Sequence, residues 1–399
     1  MSKYIGAVIA DIHIGAINAS EMYNQISQSF LNKLRDMDRL DFIVICGDYF
    51  HNKLYLNTLD AEICIRIMNE IYQIAMIKNA KVRIVYGTES HEVKQYHIFD
   101  DIERNSEGRF KVIYGVSEEE IFPDVWVLYL PEEVMMDKKE FYSDYFSKSK
   151  KYSYIFGHGV IQEVMTDAVR HTDSNKNRAK VPSFTTAELN KMCKGECFFG
   201  HYHIHTVIQH DGDKCGIYYI GSFTRWRYGE SEEKGYYITE CNPEKDKFKS
   251  TFIENVHAEK YITKAYGYEH PIFSSQDEFV KELDSIDYTL KTDPTSHVRI
   301  LLNIPENLSW ANFAMEYVKN KYAMNDRVKI NIVNGYVEKR DMIDKEQIDN
   351  LISEYEFIFD RSIPIENKCS QFIKLVLGSE ITPARIKDII DNDLRISED

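Results

Sequence analysis

Polar motifs stand at the ends of predicted strands through the first half of this chain, and this pattern constrains the fold more than any other sequence feature. Apolar runs at 4–10, 42–46 and 82–86 have the length of buried strands, and segments 20–36 and 57–77 have helical spacing. Strands that alternate with helices form parallel sheets, whose functional residues gather at the carboxyl edge. The motifs at these ends, and at two later ones, are Asp11-Ile12-His13, Gly47-Asp48 with His51, Gly87 to Glu92, Gly157-His158-Gly159 and Gly200-His201-Tyr202-His203.

From about residue 110 the predicted strands follow one another more closely, with few long helices between them. We interpret these strands as a second, mostly antiparallel sheet packed on the first. Residues 276–335 then show the pattern of a small α/β unit, and 341–358, 364–377 and 382–394 are helical in pattern. The sequence thus predicts an α/β protein with a main domain at 1–255, a small α/β domain at 256–336 and a helical segment at 337–399.

The composition is that of a chain with a large core, since 43% of the residues are hydrophobic and 28% are charged. A formal net charge of −15 excludes a nucleic-acid binder that acts through overall basicity, although a local basic path stays open. The seven cysteines are scattered and odd in number, which is typical of reduced thiols. With neither a leader-like start nor a long apolar span, the sequence predicts a cytoplasmic protein without a membrane partner.

The Asp and His residues of the five motifs fit a centre of two metal ions. Such a centre needs several Asp and His ligands, with one carboxylate able to bridge the ions. A rival interpretation is a zinc site of Cys193 and Cys197 with the histidines at 201, 203 and 205. We favour the dinuclear centre because all five motifs then serve one site.

In this order, the motifs D-x-H, G-D, a variant of G-N-H-D, G-H and G-H-x-H resemble those of calcineurin-like metallophosphoesterases. Within that superfamily the chain resembles the Mre11/SbcD nucleases, including the phage-type recombination nuclease subunit, because His51 follows Asp48 by three residues and a long C-terminal extension follows the core. The motifs cover residues 1 to about 230. The resemblance implies a four-layer α/β/β/α metallophosphoesterase sandwich, a small capping domain that binds DNA, and a metal-dependent DNA exonuclease or endonuclease used in end processing, recombination and repair.

Carried over position by position, the resemblance also implies the site residues. The first metal would be held by Asp11, His13 and His203, the second by Ser90, His158 and His201, and both by Asp48 as the bridge. His91 would lie near the leaving oxygen, and His51 would position the phosphate. Asp and neutral His suit two divalent ions, with Mn²⁺ the first expectation and Mg²⁺ the alternative.

The third motif departs from the family pattern. It reads Gly87-Thr88-Glu89-Ser90-His91-Glu92, two residues longer than Gly-Asn-His-Asp, with Ser90 where the metal-binding asparagine is expected. A serine hydroxyl is shorter and a weaker ligand than an amide carbonyl. Three alternatives stay open: Ser90 binds weakly, Glu89 moves in, or a water fills the place.

Two basic segments are expected to contact DNA, because Arg and Lys beside aromatic residues hold phosphates and bases. The first segment follows Gly159 and contains Arg170, Lys176 and Arg178. The second contains Arg225 and Arg227, on either side of Trp226.

The C-terminal segment has two interpretations. Its apolar spacing fits helices that pack back on the chain's own core, whereas the resemblance implies helices that dock onto a Rad50/SbcC-like SMC ATPase. The sequence contains no Gly-x4-Gly-Lys-Ser/Thr motif, so any ATP dependence requires such a partner. We also expect a homodimer, and a host-cell cytoplasmic location if the protein is phage-encoded.

Two other functions compete with the nuclease. One is a phosphodiesterase or phosphatase that acts on a small molecule. The other is a catalytically decayed scaffold of the ATPase complex, for which Ser90 is the only support in the sequence.

Overall fold

The computed structural model describes residues 3–134, 137–147, 151–164, 182–208, 215–266, 275–293, 295–304, 311–334, 364–377 and 381–387. The strands are β1 (Tyr4–Ile9), β2 (Phe42–Cys46), β3 (Lys81–Val85), β4 (Phe110–Ile113), β5 (Ser117–Phe122), β6 (Val125–Leu130), β7 (Tyr152–His158), β8 (Val160–Ile161), β9 (Ser183–Phe184), β10 (Cys193–Gly200), β11 (Thr206–Ile208), β12 (Gly216–Tyr219), β13 (Gly235–Asn242), β14 (Lys247–Glu254), β15 (Lys260–Tyr266), β16 (Ser296–Ile304) and β17 (Val328–Asn334). The α-helices are α1 (Ala19–Gln25), α2 (Asn32–Asp36), α3 (Leu59–Lys78), α4 (Glu89–Glu92), α5 (Asp100–Asn105), α6 (Lys138–Phe141), α7 (Ser143–Phe146), α8 (Thr186–Met192), α9 (Gln276–Thr292), α10 (Ala311–Tyr322) and α11 (Ile365–Leu377).

Helices α1 and α3 begin at side-chain caps and cover one face of the first sheet. The Asn18 side chain accepts hydrogen bonds from two backbone N–H groups of α1, and Thr58 caps α3 in the same way. A π-helical turn, Ile26–Leu31, joins α1 to α2, so the predicted helix at 20–36 is one continuous helical run. Helix α3 ends at Asn79, whose left-handed conformation is typical of a helix C-cap.

Two six-stranded sheets form the body of the protein. The first has the order β14-β13-β1-β2-β3-β4, and the second has the order β11-β12-β10-β7-β6-β5. In the first sheet β1 to β4 are parallel, as the alternation of strands and helices predicts. The second sheet is not mostly antiparallel as expected, because β6, β7, β10 and β12 run parallel and only its two edge strands are antiparallel. Short helices lie in two of the connections between parallel strands, with α6 and α7 between β6 and β7 and α8 between β7 and β10, and β11 lies between β10 and β12.

Alternate residues of the strands divide the core into three layers of side chains. In β1, Ala7 and Ile9 face the helices α1 and α3, whereas Val8 faces the second sheet. In β6, Val127 faces the first sheet, whereas Leu128 packs with α8 on the outer face. The order of layers is therefore helices, sheet, sheet, helices, which confirms the predicted α/β/β/α fold class.

A small three-stranded sheet, in the order β15-β16-β17, follows the body and carries α9 and α10. The elements match the pattern expected at 276–335, and β15 adds a strand that the sequence pattern did not indicate. By contacts the chain divides into two compact units, Met1–Leu302 with Asn312–Val333, and Asn303–Ala311 with Asn334–Asp399. The small sheet thus groups with the body in the first unit, and the domain boundaries at 255 and 336 stay predictions.

The second unit contains α11, which agrees with the helix predicted at 364–377. The expected helix at 341–358 lies outside the described residues. Among the parts of the chain that the structure describes, no helix combines the length and apolar character needed to cross a membrane.

Candidate metal centre

The ends of β1 and β2 present their polar side chains through an uncommon backbone conformation. Asp11, His13 and Asp48 all have positive φ, between 46° and 51°, where non-glycine residues are rare and Asp and His are enriched. Backbone hydrogen bonds join the two strand ends, since Asp11 N–H donates to Gly47 O at 3.1 Å and His13 N–H donates to Asp48 O at 3.0 Å. Such conformations persist at functional sites because the surrounding structure fixes them.

The first set of donor atoms comes from Asp11, His13 and His203, as predicted. Their ligand atoms lie within 4.8 Å of one another. The Nε2 atoms of His13 and His203 face each other at 3.1 Å, so a shared proton or a cation must lie between two atoms that would otherwise repel. The buried Lys234 ammonium donates to His203 O at 2.8 Å and fixes the loop that carries this histidine.

The second set of donor atoms comes from His158 and His201, as predicted, together with Glu132. His158 Nδ1–H donates to Cys46 O at 2.8 Å, which leaves Nε2 as the ring atom that faces the site. His158 Nε2 lies 3.4 Å from Asp48 Oδ2 and 3.6 Å from Glu132 Oε2. This arrangement orients the imidazole as a ligand, with its other nitrogen held by a carbonyl.

Asp48 lies between the two donor sets. Its Oδ2 atom is 3.4 Å from His158 Nε2 on one side and 3.7 Å from His13 Nε2 on the other. Burial opposes ionisation of this carboxyl, but His158, His13 and His91 together outweigh burial and hold the pKa of Asp48 below its ordinary value. Asp48 therefore occupies the position that the resemblance implies for a bridging carboxylate.

The charges of the site fit divalent cations. Burial raises the pKa of Asp11 to about 8. Burial also lowers the pKa of His13, and with help from Lys234 it lowers that of His203 to about 3. Neutral imidazoles are the form that binds metal, and a buried carboxylate that lacks a cation is costly. The residues present therefore fit two divalent ions of the kind that bind oxygen and nitrogen ligands.

The third motif contributes a different residue from the one expected. Ser90 is exposed on α4, and Thr88 is the residue that contacts the site. Thr88 N–H donates to Asp48 Oδ1 at 2.7 Å, and its hydroxyl lies 3.0 Å from Glu132 Oε2. The prediction for Ser90 was wrong because the residue directly after Gly87 turns inwards, while the extra residues form the helix. Glu89 accepts a hydrogen bond from Tyr86 OH at 2.7 Å and is not the replacement ligand either.

Glu132 is the site residue that the sequence interpretation missed. It follows β6, whose carboxyl end lies beside those of β7 and β10 in the second sheet. Glu132 is 7% exposed, and its Oε2 atom lies 3.0 Å from His201 Nδ1. The available signal was an acidic pair directly after an apolar strand, the same placement that identified the other site residues.

His91 and His51 lie at the solvent side of the first donor set. His91 Nδ1–H donates to the carbonyl oxygen of His51, so that Nε2 points towards Asp48 Oδ2 at 4.0 Å. The ring of Trp226 stands edge-on to the rings of His13 and His203, with centroids 4.7 Å apart in both cases. These contacts place His91 and His51 where the resemblance implies groups that act on the phosphate.

The arginines expected to contact DNA have different surroundings. Arg225 is 9% exposed, and its guanidinium donates to the carbonyls of Glu232 at 2.6 Å and Ala258 at 3.3 Å. This geometry gives Arg225 a structural role in place of the expected DNA contact. Arg227 is exposed, and its charge contributes to lowering the pKa of His51. Arg170, Lys176 and Arg178 lie outside the described residues.

The rival zinc site would combine Cys193 and Cys197 with nearby histidines, whereas the structure groups these two thiols with Cys215. The Sγ atoms of Cys193, Cys197 and Cys215 lie within 4.8 Å of one another in the buried core. Burial raises the pKa of the first two thiols well above the ordinary value, which favours the protonated form over a metal-binding thiolate. His205 stacks on Phe252, with ring centroids 3.7 Å apart, away from these thiols.

The chain has little similarity to known proteins in sequence, and its similarity to solved structures is low. No family model and no curated protein matches the sequence. Among solved structures, wild-type Vps29 from Entamoeba histolytica, complexed with Zn²⁺, is 12% identical with a TM-score of 0.28, and the match covers 63% of this chain and 99% of that one. A single mutant of the same protein is 14% identical with a TM-score of 0.28, over 63% of this chain and 98% of that one. Similarity at this level carries no argument about activity, so the function is argued from the residues of the site.

Proposed function

We propose that this chain is a metal-dependent phosphoesterase whose substrate is DNA. The observation that carries the proposal is the sharing of one carboxylate between two donor sets. Asp48 Oδ2 lies within 3.7 Å of an imidazole nitrogen from each set, at the joined carboxyl edges of two sheets. Two adjacent divalent ions lower the pKa of a water and stabilise the charge that develops on a phosphate.

The residues around the donor sets have separable roles in this proposal. His91 holds a proton at Nε2, the free nitrogen of its ring, and gives it to the leaving oxygen. His51 packs against His91, with ring centroids 5.7 Å apart, and positions the phosphate. Trp226 covers the imidazoles of the first set and limits the access of water.

The assignment as a nuclease of the Mre11/SbcD type rests on three features. His51 follows Asp48 by three residues and lies beside His91 at the site. The exposed Arg227 lies near enough to the site to affect the titration of His51. The small α/β sheet groups with the body in one compact unit, as a capping element would.

The competing functions differ in the support they retain. The acidic charge of −15 favours a small-molecule phosphodiesterase, because a long polyanion is repelled by such a chain. The scaffold hypothesis relied on a defective ligand at Ser90, and Glu132 now lies among the second donor set. The SMC-like ATPase partner, the homodimer and Mn²⁺ as the physiological ion belong to the proposal of a nuclease.

Substrate class can be tested by comparing two substrates on the same purified protein. End-labelled DNA and bis-p-nitrophenyl phosphate are offered with Mn²⁺, and the variant Arg227→Ala is compared with Arg104→Ala, which removes an exposed arginine on α5. A lost phosphate contact of about 1.5 kcal/mol lowers kcat/KM on DNA about tenfold and leaves the small substrate unchanged.

Three outcomes decide between the functions. The nuclease is supported if the wild type and Arg104→Ala cleave DNA at the same rate and Arg227→Ala cleaves it more slowly. Turnover of the small substrate with intact DNA supports the small-molecule enzyme. Inactivity on both substrates, with and without an SMC-like ATPase and ATP, supports the scaffold.

A further inference from the structure

Glu132 lies deeper in the site than its position on a loop suggests. Its Oε2 atom is 3.0 Å from His201 Nδ1, 3.6 Å from His158 Nε2 and 3.0 Å from Thr88 Oγ1. All three partners belong to the second donor set or adjoin it. One carboxylate oxygen is therefore within 3.6 Å of both imidazoles of the second donor set and of the Thr88 hydroxyl.

The backbone fixes Glu132 at this position. Glu132 N–H donates to Tyr86 O at 3.1 Å, which ties the end of β6 in the second sheet to the end of β3 in the first. The next residue, Glu133, turns away and accepts from Val116 N–H at 2.8 Å. Of this acidic pair, Glu132 alone is directed at the imidazoles.

The orientation of the His158 ring fits a metal ion placed between this imidazole and the Glu132 carboxylate. Its Nδ1–H is already used by Cys46 O, so Nε2 is the atom shared with Asp48 and Glu132. Nε2 faces two carboxylate oxygens at 3.4 and 3.6 Å, and its lone pair is available to a metal ion when the ring is neutral. Such a convergence of acceptors is satisfied by a cation.

We propose that Glu132 is a ligand of the second metal ion and that Thr88 aligns it, so that a carboxylate takes the place of the amide found in the resembling family. This inference rests on the two-metal function proposed above. The Thr88 hydroxyl lies 3.0 Å from Glu132 Oε2 and can donate its one proton there, while the Thr88 N–H donates to Asp48 Oδ1 at 2.7 Å, so that one residue holds both carboxylates.

The substitution changes the charge of the centre. With Asp11, Asp48 and Glu132 ionised, three negative charges face two divalent ions, where an amide would leave two. An added carboxylate binds the second ion more strongly and favours ions that prefer oxygen, such as Mn²⁺ and Mg²⁺. The ions are then less easily lost. The same negative charge makes the centre less electrophilic and reduces its attraction for a phosphate.

The test measures bound Mn²⁺ independently of activity. Isothermal titration and the electron paramagnetic resonance of Mn²⁺ give the number of ions, their affinities and the spin coupling of an adjacent pair. The wild type is compared with Glu132→Ala, with Glu132→Gln, which keeps a neutral oxygen and the side-chain shape, and with Glu133→Gln as the control.

We expect two coupled ions in the wild type and in Glu133→Gln. Glu132→Ala should weaken the second ion more than about 100-fold, beyond the range typical of residues that only orient a ligand, and remove the coupled signal. Glu132→Gln should recover part of the affinity because its amide oxygen can still bind.

The contradicting outcomes are distinct. If Glu132→Ala keeps two coupled ions with the second weakened by about 100-fold or less, Glu132 is at most a positioning residue for His201 and the ligand assignment is wrong. If Glu132→Ala is misfolded, Glu132→Gln decides, because unchanged affinity there also contradicts a charged ligand. If the wild type itself binds fewer than two ions, the proposed function fails before the inference is reached.

Discussion

His91 is the side chain best placed to transfer a proton at this site. Its Nδ1–H is held by the His51 carbonyl, and its Nε2 lies 4.0 Å from Asp48 Oδ2. The ring is 29% exposed, so a substrate can reach it, whereas the proposed ligands His13 and His158 are fully buried. His91 can therefore act on a leaving group without being needed to hold the ions.

Replacing His91 separates these two roles. His91→Ala should lower kcat for Mn²⁺-dependent hydrolysis by about 10²- to 10⁴-fold, the usual contribution of general acid–base catalysis, with unchanged Mn²⁺ stoichiometry. Steady-state kinetics and metal titration provide the measurement. The control is His97→Ala, an exposed histidine that pairs with Asp100. Normal kcat in His91→Ala would remove this residue from the mechanism.

At the scale of residues, the strand-end motifs of the sequence predicted which side chains lie together, whereas their role as metal ligands stays a prediction. Asp11, His13, Asp48, His158, His201 and His203 all lie at the centre because strand ends of both sheets meet at one edge. Ser90 was misplaced because an insertion shifts the spacing between Gly87 and His91. Glu132 was missed because an acidic pair after a strand is a weak signal by itself, and its contacts with His158 and His201 depend on how the strands of the second sheet lie side by side.

At the scale of elements, Gly47 lets the two sheets approach. A Cβ atom at this position would lie 2.2 Å from His158 Nδ1 and 2.9 Å from Gly87 Cα, and the residue has φ of 81°. Both the left-handed conformation and the missing side chain are therefore required where β2 meets β7. The parallel direction of β1 to β4 was predictable from the alternation of strands and helices, but the parallel direction in the second sheet was not, because the helices that connect β6, β7 and β10 are short and have weak sequence signals.

Gly47→Ala should displace His158 and damage the second donor set. We expect the affinity for the second Mn²⁺ ion to fall by at least about tenfold, a loss typical of disturbed ligand orientation. Gly108→Ala is the matched control, since Gly108 has φ of 78° and open space around the added atom. Equal Mn²⁺ affinities in the two variants would show that the contact with His158 is unimportant.

Glu196 links the two sheets and should make stability depend on pH. On β10, it accepts from Thr239 on β13 and Ser250 on β14, both at 2.7 Å. Burial raises its pKa in spite of these donors. A carboxyl with a raised folded-state pKa contributes stability that is complete below its unfolded pKa, near 4.5, and is lost as the pH rises through the folded value.

The comparison that isolates this group is wild type against Glu196→Gln. Urea unfolding at several pH values should show the stability advantage of the wild type shrinking from pH 4.5 to pH 7.5, because only the wild type carries the titrating group. A difference in the free energy of unfolding between the two proteins that stays constant across this pH range would contradict a raised pKa of Glu196.

At the scale of the whole molecule, the nuclease proposal assigns partner binding to the C-terminal segment, of which α11 is a described helix. Ile365 at its start is 59% exposed, so this apolar side chain is accessible to a partner. Ile365→Asp should weaken co-purification with a co-expressed SMC-like ATPase and leave Mn²⁺-dependent hydrolysis of a small substrate intact. Ile77→Asp, which alters an exposed isoleucine on α3, is the control. Unchanged co-purification in Ile365→Asp would argue against docking through this part of the helix.

The central claim is that two metal ions, joined by Asp48, let this chain cleave DNA. The measurement that tests it most directly is cleavage of end-labelled single- and double-stranded DNA by the purified protein with Mn²⁺, beside a chelator and the variant Asp48→Asn. The account predicts cleavage with Mn²⁺ that is abolished by the chelator and lost in the variant, because both donor sets depend on this carboxylate. Cleavage that persists in Asp48→Asn or in the presence of the chelator would contradict it.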